Sequence, residues 1–408
     1  MKRERIVIAG GGAAGFFAAI ACAQARPETE VIIFERTSHF LSKVRISGGG
    51  RCNVTHRPLE PRIFCSRYPR GERALLSALH RFSAEDTAEW FRAHGVNLKT
   101  EADGRIFPVT DSSGTVIDCL LFEARAAGVQ MFSCLGIEDA KSGSDGFDLR
   151  LSDGRETKCD RLLLATGGAR DPSGPRIAHS LGHTVAPPVP SLFALHLETP
   201  WLRSLPGVSV AEVQLTAAGM KLRERGPLLI THQGISGPVV LRFSAWGARL
   251  LAERDYQFVL RANWLPDFNQ ESLLAEFQAR RSTQPKKRVA SAPIAPLPAR
   301  LWEKLVEASD IPAETLWNNL TRAHALALVR QLLVCELPVT GKSLNKDEFV
   351  TCGGVALDEV NFKTMESRVV PRLYFAGELL DIDGITGGFN FQSAWTTGYL
   401  AGRAMAAG

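Results

Sequence analysis

The chain has 408 residues, 45% of them hydrophobic and 22% charged, with 36 Gly and 22 Pro. At roughly 150 residues per domain this gives two to three domains and excludes disordered, collagen-like and coiled-coil classes. Forty-eight Lys and Arg against 43 Asp and Glu leave a net charge of +5, a mild basic balance that permits phosphate-bearing ligands without arguing for nucleic acid.

No apolar run approaches the roughly 18 residues of a membrane span. Glycines occupy the place of a leader's hydrophobic region, so a cytoplasmic protein without a signal peptide is expected. The eight cysteines are never closer than thirteen positions. That spacing excludes a CxxC redox pair, a zinc ribbon and a clustered iron–sulfur site, and no metal is expected.

In chain order, Arg5-Ile-Val-Ile-Ala9 reads as a buried parallel strand. Gly10-Gly-Gly12-Ala13-Ala14-Gly15 follows, then an alanine-rich helix over 16–24 and a second strand over 31–34 that ends at Glu35. Strand, glycine turn, helix, strand and acid in this register predict a dinucleotide site. Gly10 permits the tight turn, Gly12 lets backbone approach a pyrophosphate, and Gly15 lets the helix lie close to the strand. The pyrophosphate is expected at the helix N-terminus, with Glu35 accepting from ribose hydroxyls. FAD and NAD share this motif. With one such unit and no redox cysteines, the pattern favours a simple flavoprotein.

Ser47-Gly-Gly-Gly50-Arg51-Cys52-Asn53 predicts backbone lying close to a ligand, with Arg51 suited to a phosphate or a ring carbonyl. A helix is expected over 111–127, a strand over 129–133, and a hairpin over 147–164 turning at Asp153-Gly154. The run ending Thr166-Gly167-Gly168 reads as another buried strand ending in glycines. From 191 the pattern changes to short strands (192–197, 208–215, 228–231, 257–262) and then helices (271–281, 299–308, 321–336). This predicts an inserted domain over 191–345, between dinucleotide-domain parts at 1–190 and 346–408.

Within the insertion, His232 is a candidate acid or base. Arg280, Arg281 and Pro285-Lys-Lys-Arg288 form a basic cluster that raises an RNA-modifying alternative. No aromatic platform is interleaved with these charges, so a solvated face is the better reading and no nucleic-acid partner is expected. The last segment is a strand over 372–378 ending in Gly377-Glu378, followed by Asp381, Asp383, the turn Gly384-Ile-Thr-Gly-Gly388-Phe389-Asn390 and a helix over 391–406. Glu378 or Asp381 would bond ribityl hydroxyls, and the turn's N–H groups would face a flavin.

Ser47–Asn53, Thr231-His-Gln-Gly-Ile-Ser-Gly-Pro238, Cys352-Gly-Gly-Val355 with Thr364-Met-Glu-Ser367, and the block from Leu373 through Phe391 together resemble the BaiN/YhiN-like family of NAD(P)/FAD-dependent oxidoreductases. The resemblance implies an α/β fold: a glutathione-reductase-like, Rossmann-type FAD domain built from both chain ends, with an inserted β-barrel-like and helical domain. It implies FAD contacts at Gly10, Gly12, Ala14 and Gly15 for the pyrophosphate, with Ala13 in the same turn. Glu35 and Arg36 would serve the adenosine side and Val129 the adenine. Arg51, Cys52 and Asn53 would lie by phosphate and flavin, Thr166 and Gly167 would flank the dinucleotide, and Glu378, Asn390 and Phe391 would sit by ribityl and flavin. Val44-Arg45-Ile46 and the stretch 171–177 depart from the family's usual pattern, so no substrate is carried over. The expected activity is hydride transfer between flavin N5 and a small organic molecule, with NADH or NADPH visiting transiently. The alternatives are an amine or amino-ketone oxidase using oxygen, a flavin-binding RNA-modifying protein, and a protein whose FAD is structural.

Overall fold

The computed structural model describes residues 3–168, 171–343 and 350–407. By contact density the chain divides into two units, one of Met1–Pro190 with Lys346–Gly408 and one of Ser191–Asn345. The junction between 345 and 346 lies outside the described residues. Among the described residues no helix is long and apolar enough to cross a membrane.

The first unit is built on a seven-stranded sheet. At its centre Arg5–Ala9 runs parallel to Glu30–Phe34 on one side and Arg161–Leu164 on the other. Gln130–Phe132 and Leu373–Phe375 extend it in parallel at either flank. Ile6, Val7, Ile8 and Leu162–Leu164 are essentially inaccessible, as strands covered on both faces must be. The run expected as one hairpin arm over 158–164 is in fact divided. Glu156–Cys159 pairs within a small antiparallel sheet, and Arg161–Leu164 joins the large one. Asp160 makes the break, its carboxylate accepting from Arg5 N at 2.7 Å.

Helix Ala13–Ala25 crosses between the first two strands, and the C-terminal helix Phe389–Ala407 lies against it. Their approach depends on missing side chains. A Cβ on Gly398 would stand 2.4 Å from Ala14 O, and one on Gly402 would stand 2.3 Å from Ala18 O.

Further along, the fully buried Gln392 ties its own helix to two other segments. Its Oε1 accepts from Thr55 Oγ1 at 2.6 Å, while Nε2 donates to Ser83 O, Thr87 Oγ1 and Thr396 Oγ1 at 2.9–3.0 Å. Gln392→Leu keeps the bulk but strands these partners in the interior. We expect a loss of about 2–3 kcal/mol, read by urea unfolding as a lower midpoint at unchanged slope.

The second unit is a closed six-stranded barrel carrying helices. Ser209–Ala217, Arg223–Ile230, Gly234–Ser236 and Phe258–Asn263 are four of its strands. The helix expected over 321–336 stops at Leu333, and Cys335–Ser343 is a strand that closes the barrel against Phe258–Asn263 and Ala194–Leu197. Cys335, Leu337 and Val339 are buried while Glu336 and Pro338 are exposed. That period of two is the strand signal, and the apolar helix just before it masked the change. Trp264, Trp302 and Trp317 fill the unit's core.

Candidate functional site

In an open parallel sheet, ligands meet the carboxyl ends of the strands, and in the first unit these ends carry the glycines. Gly10 closes the first strand with φ +108° and donates to Phe34 O at 2.8 Å. A Cβ there would lie 2.3 Å from Ala165 O, and one on Gly15 would lie 2.0 Å from Gly10 O. Both positions are therefore closed by packing. Gly12 differs: among the described residues nothing lies within 4 Å of its missing Cβ. It caps helix Ala13–Ala25 without a side-chain bond, so the first-turn N–H groups at Ala13 and Ala14 face outward beside open space.

Glu35 follows the second strand. Its carboxylate accepts from Gly11 N (2.8 Å), Thr37 N (2.8 Å) and Thr37 Oγ1 (2.7 Å), which fixes it against the glycine turn and leaves acceptor capacity for a hydroxyl. Arg36 is held between Glu138 (2.8 Å) and Asp171 (3.3 Å). Val129 does not join this edge. It is buried and precedes Gln130–Phe132, whose register puts it at the amino-terminal end of the sheet. The chain crosses beside Glu35 only after that strand, where Leu135 N donates to Glu35 O at 2.8 Å and Gly136 packs on Arg36. Sequence reasoning missed this crossing, since residues 134–136 carry no motif.

The Ser47–Asn53 segment ends a short helix. Ser47 is extended, and Gly48, Gly49 and Gly50 are all left-handed, with open space at Gly49 and Gly50. Arg51 turns away to Glu101 (2.7 Å) and Asp111 (3.4 Å) and covers the Phe107 ring at 4.0 Å. Cys52 is buried with φ +59°. Asn53 reaches the C-terminal turn: with its amide oriented to satisfy both ends, it donates to Thr55 O at 3.0 Å and accepts from Gly388 N at 2.9 Å.

Thr166 follows the strand Arg161–Leu164. Among the described residues its Oγ1 is buried without a hydrogen-bond partner, and the neighbouring Gly167 has φ +84° with no described atom near its missing Cβ. At the C-terminal strand, Gly377 N donates to Thr397 Oγ1 at 2.9 Å. Glu378 pairs with Lys43 and accepts from Thr351 N at 2.9 Å. That clamp was not foreseen, because its members lie far apart in sequence. Asp381 N donates to Val355 O at 3.1 Å. Asp383 is fully buried and paired with Arg70.

The turn Gly384–Asn390 closes on itself. Asn390 accepts from Gly384 N (2.8 Å) and donates to Gly384 O (2.9 Å). Phe389 is buried, its carbonyl held by Tyr68 OH at 2.7 Å, and Phe391 stacks on Trp395. Gly387 and Gly388 both have positive φ.

A dinucleotide fits this edge on three features of the chain itself: an uncapped helix N-terminus beside a glycine with open space, a buried hydroxyl at Thr166 that has no partner among the described residues, and a carboxylate fixed at the end of the second strand. The residues present would hold a pyrophosphate at Gly12–Ala14 and a ribose at Glu35. His232 lies in the second unit, exposed, in the bend between two barrel strands, with its carbonyl accepting from Arg203 Nε at 3.2 Å. The basic cluster of that unit is largely committed elsewhere: Arg280 to Glu276 and Ala292 O, Arg281 to Leu320 O, and Arg288 to Glu314.

All eight cysteines are free thiols. Burial pushes Cys52 and Cys22 up to about 12, so at pH 8 both stay protonated and unreactive. Cys134 alone is exposed. We expect Ellman's reagent at pH 8 to titrate one thiol of the native protein quickly and the other seven only after denaturation. Rapid reaction of two or more would show that burial does not govern their chemistry.

These features define a nucleotide-binding oxidoreductase of the flavoprotein kind. The chain belongs to the HI0933-like protein Rossmann domain family, whose pattern matches residues 4–404, and it is a flavin-dependent oxidoreductase. It is 32% identical to a 3-dehydro-bile acid delta(4,6)-reductase of Clostridium scindens, over 99% of both chains. It is also 32% identical to a ribosomal RNA dihydrouridine synthase of Escherichia coli, over 100% of this chain and 99% of the relative. In fold it resembles the 3-ketosteroid-delta4-(5alpha)-dehydrogenase of Rhodococcus jostii, with a TM-score of 0.54 at 16% identity over 99% and 97% of the two chains. Escherichia coli quinol fumarate reductase FrdA gives 0.51 at 15%, over 99% and 70%.

Proposed function

We propose that the protein reduces a carbon–carbon double bond conjugated to a carbonyl, drawing its electrons from NADH or NADPH. The observation that carries this reading is a chemical identity beneath two unlike names. A 3-oxo compound reduced at a delta-4 bond and a uridine reduced to dihydrouridine are both α,β-unsaturated carbonyls. In each, hydride adds to the β carbon and a proton to the α carbon. Two relatives spanning the whole chain carry those names, so the shared step is the part most readily inherited.

A flavin held at this edge would supply the hydride from N5. The chain's own contribution is positioning and electrostatics. Gly10, Gly12 and Gly15 shape the turn against which the pyrophosphate would lie, and Glu35 would orient the ribose. The N-terminus of helix Phe389–Ala407 presents a positive dipole end, which favours negative charge accumulating on a nearby ring. The buried Arg70–Asp383 pair anchors the approach to that turn. The balance closes without a protein acid: NAD(P)H gives the hydride and becomes NAD(P)+, and water protonates the α carbon.

The test is isotopic. The holoenzyme is incubated with NADPH and NADH deuterated at either face of C4, and with a 4-en-3-one steroid or a uridine-containing RNA. The proposal expects deuterium at C5 of the steroid or C6 of the uracil ring. Saturated product from neither acceptor with either nicotinamide would overturn it.

Arg70 gives a prediction of its own. Arg70→Met leaves Asp383 buried without its guanidinium, a change worth about 3–5 kcal/mol. Flavin affinity is expected to fall at least tenfold, with partial recovery in Arg70→Lys. Equal affinity in all three proteins, by titration of apoprotein with FAD, would remove the pair from the account.

A further inference from the structure

Several arginines of this chain are matched with carboxylates. Arg5 pairs with Glu30, Arg26 with Glu4, Arg36 with Glu138 and Arg225 with Glu212. One patch of the first unit instead gathers cations around a concavity. Arg73 lies on helix Glu72–Leu79, and Lys363 and Arg368 flank the short strand Glu366–Ser367. All three are exposed and line a single groove of about 500 Å³. Among the described residues none of the three has a carboxylate within salt-bridge distance, and Arg368 donates from Nε to Val360 O at 3.4 Å. Asp358 is the one acid lining the groove, and Ser77 and Asn361 add neutral polar groups. Three cations against one carboxylate leave an excess positive charge in a concavity.

The groove is not a helix-end anion site. The helix bearing Arg73 begins at Gly71 with Glu72 in its first turn, and that acid opposes an anion at the N-terminus. The positive charge instead sits on long exposed side chains around an open trough. Such an arrangement follows a chain of phosphates better than it encloses a single one.

We infer that this groove is a docking surface for the phosphodiester backbone of RNA. The inference rests on the proposed reductase reading in one respect: a uracil ring within RNA is one of the two acceptors that reading allows, and a base inside a polymer needs a grip on the backbone beyond the reacting ring. The location suits that role. Arg70, three residues before Arg73, pairs with Asp383. A Cβ on Gly71 would lie 2.7 Å from Ile382 Cγ1. The wall of the groove is thus packed on the segment that leads into the Gly384–Asn390 turn.

The experiment measures binding of a fluorescein-labelled RNA hairpin with a uridine loop to the flavin-loaded, full-length protein across a salt series. The triple variant Arg73→Ser, Lys363→Ser, Arg368→Ser is compared with Lys286→Ser, Lys287→Ser, which removes two exposed lysines of the second unit. The groove variant should bind about 10–100-fold more weakly at 0.1 M salt. Its slope of log K against log salt should be shallower by about 2, as expected for three lost phosphate contacts. The lysine control should match the parent. Unchanged thermal midpoint and flavin absorbance establish that the groove variant is folded. The inference is overturned if the groove variant and parent bind alike, if the lysine control loses as much, if the parent does not bind the hairpin, or if polyphosphate competes as well as unlabelled hairpin at equal phosphate concentration. Bleaching of the flavin by nicotinamides is read separately, so failure of the groove leaves the reductase reading standing.

Discussion

Gly12→Ala is expected to yield a folded protein that holds flavin ten- to a hundredfold more weakly, a loss of about 1.4–2.7 kcal/mol. Gly12 has φ −91° and ψ −170°, which alanine adopts freely, and among the described residues no atom stands within 4 Å of the added methyl. The folding cost is then only the N-cap preference, under about 1 kcal/mol. The methyl would occupy the open space into which a pyrophosphate must come to reach the helix N–H groups.

Gly10→Ala makes the opposite case. Its φ of +108° strains any side chain, and the methyl would sit 2.3 Å from Ala165 O and 2.7 Å from Ala165 C. Strain of about 1–3 kcal/mol combines with a clash against the central sheet. Poor soluble yield, or a midpoint lower by about 10 °C or more, is expected. Apoprotein titration with FAD, set beside thermal unfolding, separates the two variants. If Gly12→Ala binds like the parent, the pyrophosphate does not lie at this helix.

The seam between helices Ala13–Ala25 and Phe389–Ala407 gives the second large effect. Gly398→Ala drives a methyl to 2.4 Å from Ala14 O and 3.0 Å from Ala14 Cα, and Gly402→Ala repeats this one turn on against Ala18. Neither neighbour can yield, because both are helix backbone, so the helices must part. Overpacking of this kind costs about 1–3 kcal/mol per site, or roughly 2–10 °C in the midpoint. The double variant should also shed flavin. The same C-terminal helix holds Gly377 through Thr397, and a Cβ on Gly377 would lie 2.9 Å from the Ala14 methyl. Arg403→Ala, exposed on the outer side, should stay within about 0.5 kcal/mol of the parent. A Gly398→Ala midpoint equal to that of Arg403→Ala would contradict the close-packed seam.

Local pattern carried much of this architecture. Gly10–Gly15 with Glu35 announces its register because strand, turn, helix and acid are consecutive, and the three glycines after Ser47 take the left-handed backbone that only glycine adopts cheaply. The strand Cys335–Ser343 was hidden by the apolar helix before it, and the run over 158–164 concealed a change of sheet at Asp160. Within the site, what was illegible is what the fold brings together from afar. Lys43 meets Glu378, Arg70 meets Asp383, and Asn53 meets Gly388. No spacing rule reaches across three hundred residues. Arg51 shows the converse: a cation beside glycines reads as a phosphate ligand, yet Glu101, Asp111 and the Phe107 face hold its guanidinium.

The most direct measurement is anaerobic stopped-flow mixing of the flavin-loaded protein with NADH and with NADPH, followed by addition of an α,β-unsaturated ketone. The account predicts that one nicotinamide bleaches the flavin absorbance within seconds and that the enone restores it as the saturated ketone appears. A flavin that dithionite bleaches, that neither nicotinamide reduces and that no enone reoxidises would contradict it.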